Sequence, residues 1–338
     1  MENGKIKVWL PTVRTGTGSD VYMKRVARSL QQKGLTTEIS WFPQYYEFVP
    51  HLLRRKLMPD GTDIIFANSW NGFAFKRPDI PLVITSFHPD FIASGSHMSV
   101  AQYIYHRFLI RHYETRSFRA ANIITAISDY TASSLSGTSF ADKVDVTHLW
   151  LDIDKFKPGA SSSTPNKPFR LLFVGTLSFR KGADLLAPIM QQLGNDFHLD
   201  IVGTVKNGKN APQSDNISYL GRLSDDELLR AYENCDALLF PSRWEGFGYT
   251  ALEAMACEKP VITSNATALP EVVVDGVTGI LCETGNVDAF SRACQRLSLD
   301  RNLAHAMGIA GRKRAAEQFS ESKAVNSYVQ LIERLITK

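Results

Sequence analysis

Short apolar runs recur along this chain, separated by stretches whose apolar residues return every three or four positions. The first six are Ile6–Leu10, Thr37–Phe42, Asp63–Ala67, Pro81–Thr85, Asn122–Ile127 and Val144–Val146. Runs of this length alternating with helical stretches form parallel sheets, because crossover helices cover both faces of the sheet. One such stretch, Val21 to Leu30, carries Val21, Val26, Ala27 and Leu30 on one side and meets Gly34 as its stop. The segment 158–165 is rich in small residues, is bounded by prolines and reads as a linker. The alternation then restarts with Arg170–Val174, Leu199–Val202, Ser218–Leu220, Ala237–Phe240, Pro260–Thr263 and Ile280–Cys282. Ser224 to Glu227 forms a capping box that opens a helix through Tyr232, and Ser320 to Lys338 also reads as helix. A chain of 338 residues exceeds the size of one core. The expected fold is α/β, two doubly wound Rossmann-like domains facing each other across a cleft. The N-terminal domain is expected over 1–157, a linker over 158–168 and the second domain over 169–319. A last helix, 320–338, is expected to pack back on the first domain.

Composition narrows the class. Hydrophobic residues make up 44% and charged residues 21%, which suits a folded globular chain rather than a disordered one. No window approaches the roughly 18 apolar residues that a membrane span requires, and the start has no signal-peptide character, so a cytoplasmic protein is expected. Cys235, Cys257, Cys282 and Cys294 stand apart with no Cys-x-x-Cys pair, so neither a disulfide framework nor a zinc site is indicated. Residues 1–160 carry 19 Lys and Arg against 14 Asp and Glu, net +5, while the remainder is nearly neutral. That asymmetry suits phosphate groups or an anionic membrane face and is too weak for nucleic acid.

The most informative segment is Pro241 to Ala256, which leaves an apolar strand through a glycine-containing turn and enters a helix near Tyr249. A helix start offers unpaired N–H groups and a positive dipole end, which together favour phosphate. Glu245 stands before the turn and Glu253 about one turn into the helix, up to about 12 Å away. They are placed to bridge a diphosphate, one carboxylate for each sugar ring. Upstream, Gly175 to Gly182 follows the first strand of the same domain and holds Arg180 and Lys181, cations suited to a diphosphate leaving group. Taken singly, each segment is equally compatible with an ordinary solvated loop.

Together they resemble a known family. Glu245-x7-Glu253, the turn Glu245-Gly246-Phe247-Gly248, the loop Arg180-Lys181-Gly182 and the downstream Thr267 to Glu271 are similar to glycosyltransferase family four. The resemblance implies a GT-B fold and retaining hexosyl transfer from a nucleotide-diphosphate sugar to an acceptor hydroxyl, in polysaccharide or glycoconjugate synthesis. It implies no metal and no other cofactor, the sugar nucleotide being a substrate. It assigns the donor sugar to Glu245 and the ribose to Glu253, and sets the backbone of Phe247 and Gly248 against the sugar. Tyr249, Thr250, Gly175 and Thr176 fall by the phosphates, and Arg180 and Lys181 on the diphosphate. In the first domain it sets Gly16, Thr17 and Gly18 in a glycine loop near the reaction centre and His88 beside the donor sugar.

Several positions depart from the family pattern. Thr176 stands where many members carry an arginine, and Glu258 stands where a glycine is usual. Asp152-Ile153-Asp154 has the Asp-x-Asp form of a metal site but lies far from the phosphate loops, so a structural role is expected. Gly16-x-Gly18 lacks the third glycine of a dinucleotide fingerprint, which speaks against nicotinamide. Residues 103–119 and Leu52 to Lys56 interleave aromatic or apolar residues with cations. That chemistry suits an anionic lipid or a lipid-linked acceptor, at the inner face of a membrane, and equally the solvated face of an ordinary amphipathic helix. Trp70 and Phe73 are candidates for stacking on an acceptor glycan. Two other functions fit the motifs: a nucleotide-sugar epimerase, or a non-catalytic relative that binds a partner.

Overall fold

The computed structural model describes residues 5–16, 18–87, 104–159, 168–204 and 213–337. Its contacts divide the chain into two units, Met1–His148 with Glu321–Lys338, and Leu149–Ser320. The first contains β1 (Lys7–Val13), α1 (Gly18–Gln32), β2 (Thr36–Phe42), β3 (Ile64–Asn68), β4 (Leu82–Ser86), α2 (Arg111–Ala120), β5 (Ile123–Ala126), α3 (Asp129–Ser133) and β6 (Val144–Val146). The second contains β7 (Phe169–Val174), α4 (Ala183–Leu193), β8 (Phe197–Val202), β9 (Ile217–Gly221), α5 (Asp225–Asn234), β10 (Ala237–Phe240) and α6 (Tyr249–Ala256). It continues with β11 (Val261–Ser264), α7 (Leu269–Val272), β12 (Gly279–Cys282), α8 (Val287–Leu299) and α9 (Arg301–Gln318). The last helix, α10 (Glu321–Ile336), belongs to the first unit.

Each unit is built on a six-stranded parallel sheet, ordered β2-β1-β3-β4-β5-β6 in the first and β12-β11-β10-β7-β8-β9 in the second. Both are doubly wound Rossmann-like arrangements, in which the order reverses once, between β1 and β3 and between β7 and β10. Inner strands β3, β4, β10 and β11 are buried along their whole length, as strands covered by helices on both faces must be. The twelve apolar runs all fall on strands. β1 extends three residues past the expected Leu10, through Pro11 to Val13. Its pairing with β2 continues to Val13, whereas pairing with β3 stops at Trp9, so the missing N–H of Pro11 interrupts no ladder on that side.

Residues 149–157, expected at the end of the first domain, belong by their contacts to the second unit. The Leu151 amide donates to the Phe319 carbonyl at 3.1 Å, and Arg312 donates to the Phe156 carbonyl at 3.0 Å. Tyr249 bonds the Trp150 carbonyl at 3.1 Å. Most of the expected linker, residues 160–167, lies outside the described residues. Asp152 has a local role, since its Oδ1 accepts the amides of Asp154 and Lys155 at 3.1 Å each and closes a turn. In the first unit, α10 packs against α1: Tyr22 and Tyr328 share a 2.5 Å hydrogen bond and Ser29 bonds Glu321. Among the described residues, no helix is long and apolar enough to cross a membrane.

Two features yield predictions. Glu258 ends α6 with φ +58°, where the Lys259 amide turns back to the Ala254 carbonyl at 2.9 Å. This is the left-handed helix exit that glycine usually fills, so the glutamate is strained rather than freely accommodated. Glu258→Gly is expected to raise the unfolding free energy by about 0.5–1 kcal/mol in a denaturant titration. All four thiols are buried, and desolvation pushes Cys235, Cys257 and Cys282 up to about 12 and Cys294 upward as well. Folding therefore holds them neutral, and this part of the stability is lost as the pH rises from 9 toward 12. Alkylation at pH 8 should be slow in the native protein and complete in denaturant, and the unfolding midpoint should fall above pH 9.

Candidate active site

The chain leaves β7 toward β8 and leaves β10 toward β11, in opposite directions, although β7 and β10 are neighbours in the sheet. Loops that part in this way open a crevice at the carboxyl ends of the strands, the place where such sheets take ligands. Both segments singled out from sequence lie there. One is the Gly175–Gly182 loop after β7, the other the Pro241–Gly248 loop after β10.

Local chemistry shapes each loop, and close contacts join them. Ser178 caps a single 3-10 turn, Phe179–Lys181, by accepting the Lys181 amide at 3.4 Å. Gly182 follows with φ +72°, and a Cβ there would lie 2.1 Å from the Pro241 carbonyl oxygen. Glycine is therefore required for the backbone conformation and for the approach of the second loop. The Arg243 amide donates to the Arg180 carbonyl at 2.9 Å, and the Ser242 hydroxyl oxygen lies 3.2 Å from the same carbonyl. The Arg243 guanidinium donates to the Phe179 carbonyl at 2.8 Å and grips the Asp184 carboxylate with bonds of 2.7 and 2.8 Å. It also lies 3.8 Å from the centre of the Phe179 ring.

This scaffold brings Lys181 Nζ to 2.6 Å from Glu245 Oε1, with side-chain exposures of 14% and 9%. The Ser242 hydroxyl donates to the same oxygen at 2.6 Å, and Thr267 accepts the Glu245 amide at 3.0 Å. Glu245 Oε2 has a looser neighbour, the Arg180 guanidinium at 4.0 Å. Arg180 also donates to the Trp244 carbonyl at 3.0 Å. A buried carboxylate needs such compensation, since an isolated charge there would cost several kcal/mol, about 3–5 for a pair broken on one side. The structure thus joins Arg180, Lys181 and Glu245 in one cluster.

The other second-unit residues surround this cluster or follow it. Gly175 has φ +150°, and the Lys181 stem would lie 3.9 Å from a Cβ placed on it. Thr176 is exposed. Gly248, at φ +110°, is the residue before α6, and the first intrahelical amide is that of Ala251, bonded to the Gly248 carbonyl at 3.0 Å. The amides of Tyr249 and Thr250 therefore precede the helical bonding pattern. Phe247 is buried edge-on against Tyr249 and Phe319. Glu253 accepts a 2.8 Å hydrogen bond from the Tyr232 hydroxyl, and burial, with the Glu253 charge next, pushes that phenol well above its usual range.

First-unit expectations fare differently. Thr17 and His88 lie outside the described residues. Among the described residues of the glycine loop, the amides of Thr15 and Gly16 turn to a side chain of the chain itself. Asp20, in the first turn of α1, accepts the Gly16 amide at 2.9 Å and the Thr15 hydroxyl at 3.0 Å, and the Thr15 amide at 3.2 Å. Asp20 thus holds the Gly16 amide among the described residues. Gly18 is the first residue of α1. Phe73 is a core residue stacked 5.6 Å from Tyr113 rather than a surface shelf, whereas Trp70 is half-buried, with its ring 6.2 Å from that of Phe87.

Sequence reasoning gave no separate role to Ser242, Arg243, Asp184 or Tyr232. Ser242 and Arg243 sit inside the segment it singled out and carried a readable signal, a hydroxyl and a cation beside the acid. Tyr232 and Asp184 carried none, because their partners are distant in the chain and meet them only through the sheet.

Comparison with known proteins identifies the frame. Residues 155–314 match the family described as Glycosyl transferases group 1. An uncharacterised glycosyltransferase of Methanocaldococcus jannaschii is 35% identical over 170 residues, 48% of this chain and 48% of that protein. The capsular polysaccharide biosynthesis glycosyltransferase CapM of Staphylococcus aureus is 31% identical over 166 residues, 46% of this chain and 43% of CapM. This chain thus spans about half the length of the curated relatives it matches. The solved structure of sucrose-phosphate synthase from Thermosynechococcus elongatus superposes with a TM-score of 0.83 at 18% identity, covering 98% of this chain and 100% of that one, a likeness of fold. Residues 155–314 form a domain of the glycosyl transferases group 1 family, carried on a GT-B frame of two Rossmann-like units.

Proposed function

We propose that this chain is a retaining, metal-independent hexosyltransferase that moves a sugar from a nucleotide diphosphate to an acceptor hydroxyl in polysaccharide or glycoconjugate synthesis. The observation that carries the reading is the buried Lys181–Glu245 pair at 2.6 Å, seated where the strand order reverses. A sugar nucleotide presents hydroxyls beside a diphosphate, and this pair offers an acceptor beside a cation. Glu245 Oε2, which among the described residues has Arg180 as its ion-pair neighbour at 4.0 Å, accepts sugar hydroxyls in this reading. Lys181, Arg180 and the leading amides of α6 compensate the charge that grows on the departing diphosphate. Glu253, held by Tyr232, takes the ribose hydroxyls. The family resemblance also assigns His88 to the donor sugar. Attack from the face that the diphosphate leaves accounts for retention without a covalent nucleophile.

Arg243 makes no claim on substrate in this reading. It ties the cation loop to the Glu245 loop through Phe179 and Asp184, so that Lys181 is aimed before the donor arrives.

The decisive test is turnover of Glu245→Gln and Lys181→Ala, each expected to fall about 100-fold or more while circular dichroism stays native. Near-normal turnover in both overturns the assignment. Product should require acceptor, which separates transfer from epimerisation, should keep the donor's anomeric configuration by NMR, and should form undiminished in a chelator. Arg243→Ala is expected to weaken donor binding and to lower stability by about 1–3 kcal/mol, read from KM and from chemical denaturation. Thermal shifts across a panel of nucleoside diphosphates identify the base, since only the cognate one raises the melting temperature at low concentration.

A further inference from the structure

The surface of the first unit holds a patch of exposed apolar and basic side chains to which the proposed function assigns no role. Residues 44–57 form two 3-10 turns, Gln44–Glu47 and Pro50–Arg55, that turn Tyr46 and Leu53 into the core and leave Tyr45, Phe48, Leu52 and Leu57 outside. Beside them, a π-helical turn, Tyr105–Ile110, runs into α2 and presents Ile104 and Phe108 one turn apart. Contacts between the two segments make a single surface. The Phe48 and Tyr105 rings lie 5.6 Å apart, and the Tyr113 hydroxyl donates to the Phe48 carbonyl at 3.2 Å. The guanidiniums of Arg54 and Arg116 both lie over the Phe73 ring, at 5.7 and 4.4 Å.

The exposure is unusual for side chains of this size. Leu57 is 92% exposed, Phe108 68% and Phe48 57%, where isolated apolar residues are ordinary but a cluster is not. Charge on the same surface is one-sided. Residues 44–57 and 104–119 carry seven Lys and Arg against two acids. Of the two acids, Glu114 is buried and bonded to Ser69 at 2.8 Å, and Glu47 is half-buried. Among the described residues Arg54, Arg55, Arg107 and Arg119 have no acidic partner.

We infer that this patch docks the protein on an anionic phospholipid surface, with Tyr45, Phe48, Leu52, Leu57, Ile104 and Phe108 entering the interface and the arginines meeting headgroup phosphates. The pattern matches what the interface offers. In both segments exposed apolar side chains alternate along the chain with cations, a composition in which apolar tips can enter the acyl boundary while guanidiniums stay at the phosphates. A protein partner would instead call for a continuous apolar centre with a polar rim. The inference rests on the first unit's surface alone and stands or falls separately from the reaction proposed above.

Co-sedimentation with vesicles tests it, using phosphatidylcholine alone or mixed with phosphatidylglycerol. The full chain is expected to bind the mixed vesicles, to leave the neutral ones, and to release as salt is raised. Arg54→Gln and Arg107→Gln should each weaken binding about fivefold, and Leu57→Ser with Phe108→Ser about tenfold or more. All four positions are exposed, so melting temperatures should not move. Equal binding to both vesicle types, or no binding to either, overturns the proposal. So does full binding by the serine variant, which would reduce the patch to a plain attraction for polyanions.

Discussion

The reversal of strand order between β7 and β10 is the constraint on which the candidate site depends. Crossover connections must be right-handed, so a strand order that grows outward in both directions sends its helices to opposite faces and leaves a gap between the first two loops. Into that gap the chain places its densest polar chemistry. Lys181 and Glu245, 64 residues apart in sequence, are brought to 2.6 Å. Neither would be stable so deeply placed without the other. The pair therefore joins the two loops and sets a hydrogen-bond acceptor beside a cation.

The loops are rigid for identifiable reasons. Gly182 allows one loop to touch the Pro241 carbonyl of the other, and Arg243 spans both by a forked bond to Asp184 and by lying on Phe179. Thr267, a non-glycine residue at φ +54°, accepts the Glu245 amide. Strain of this kind is kept where surrounding contacts determine it, and it often marks functional backbone. Glu258 has similar backbone but no such network, with Arg312 at 4.0 Å as its weak ion-pair neighbour. The two left-handed residues thus have different meanings: one holds a catalytic candidate in place, and the other is a poor choice at a helix end.

The two units carry different kinds of chemistry. The second unit concentrates polar groups in a crevice and is where the family resemblance is dense. The first spreads cations and apolar side chains over an outer surface, and its Gly16 amide is bonded to its own Asp20.

Strand positions, the α/β class and the two-sheet organisation were legible in the sequence because apolar periodicity reports burial directly, and buried parallel strands must read as apolar runs. The two loops that bring Arg180, Lys181 and Glu245 together were legible because loops at strand ends carry their chemistry in short local spacings. Only the tertiary structure decided which distant groups complete them. Tyr232 on Glu253 and Asp184 on Arg243 are pairings across chain separations that no local pattern encodes. It also decided that residues 149–157 go with the second unit, that Phe73 is core, and that residues 44–57 and 104–119 share one surface. Each of these outcomes depends on where a side chain's neighbours come from in space, and that is set by how the helices pack on the sheets rather than by adjacency in the chain.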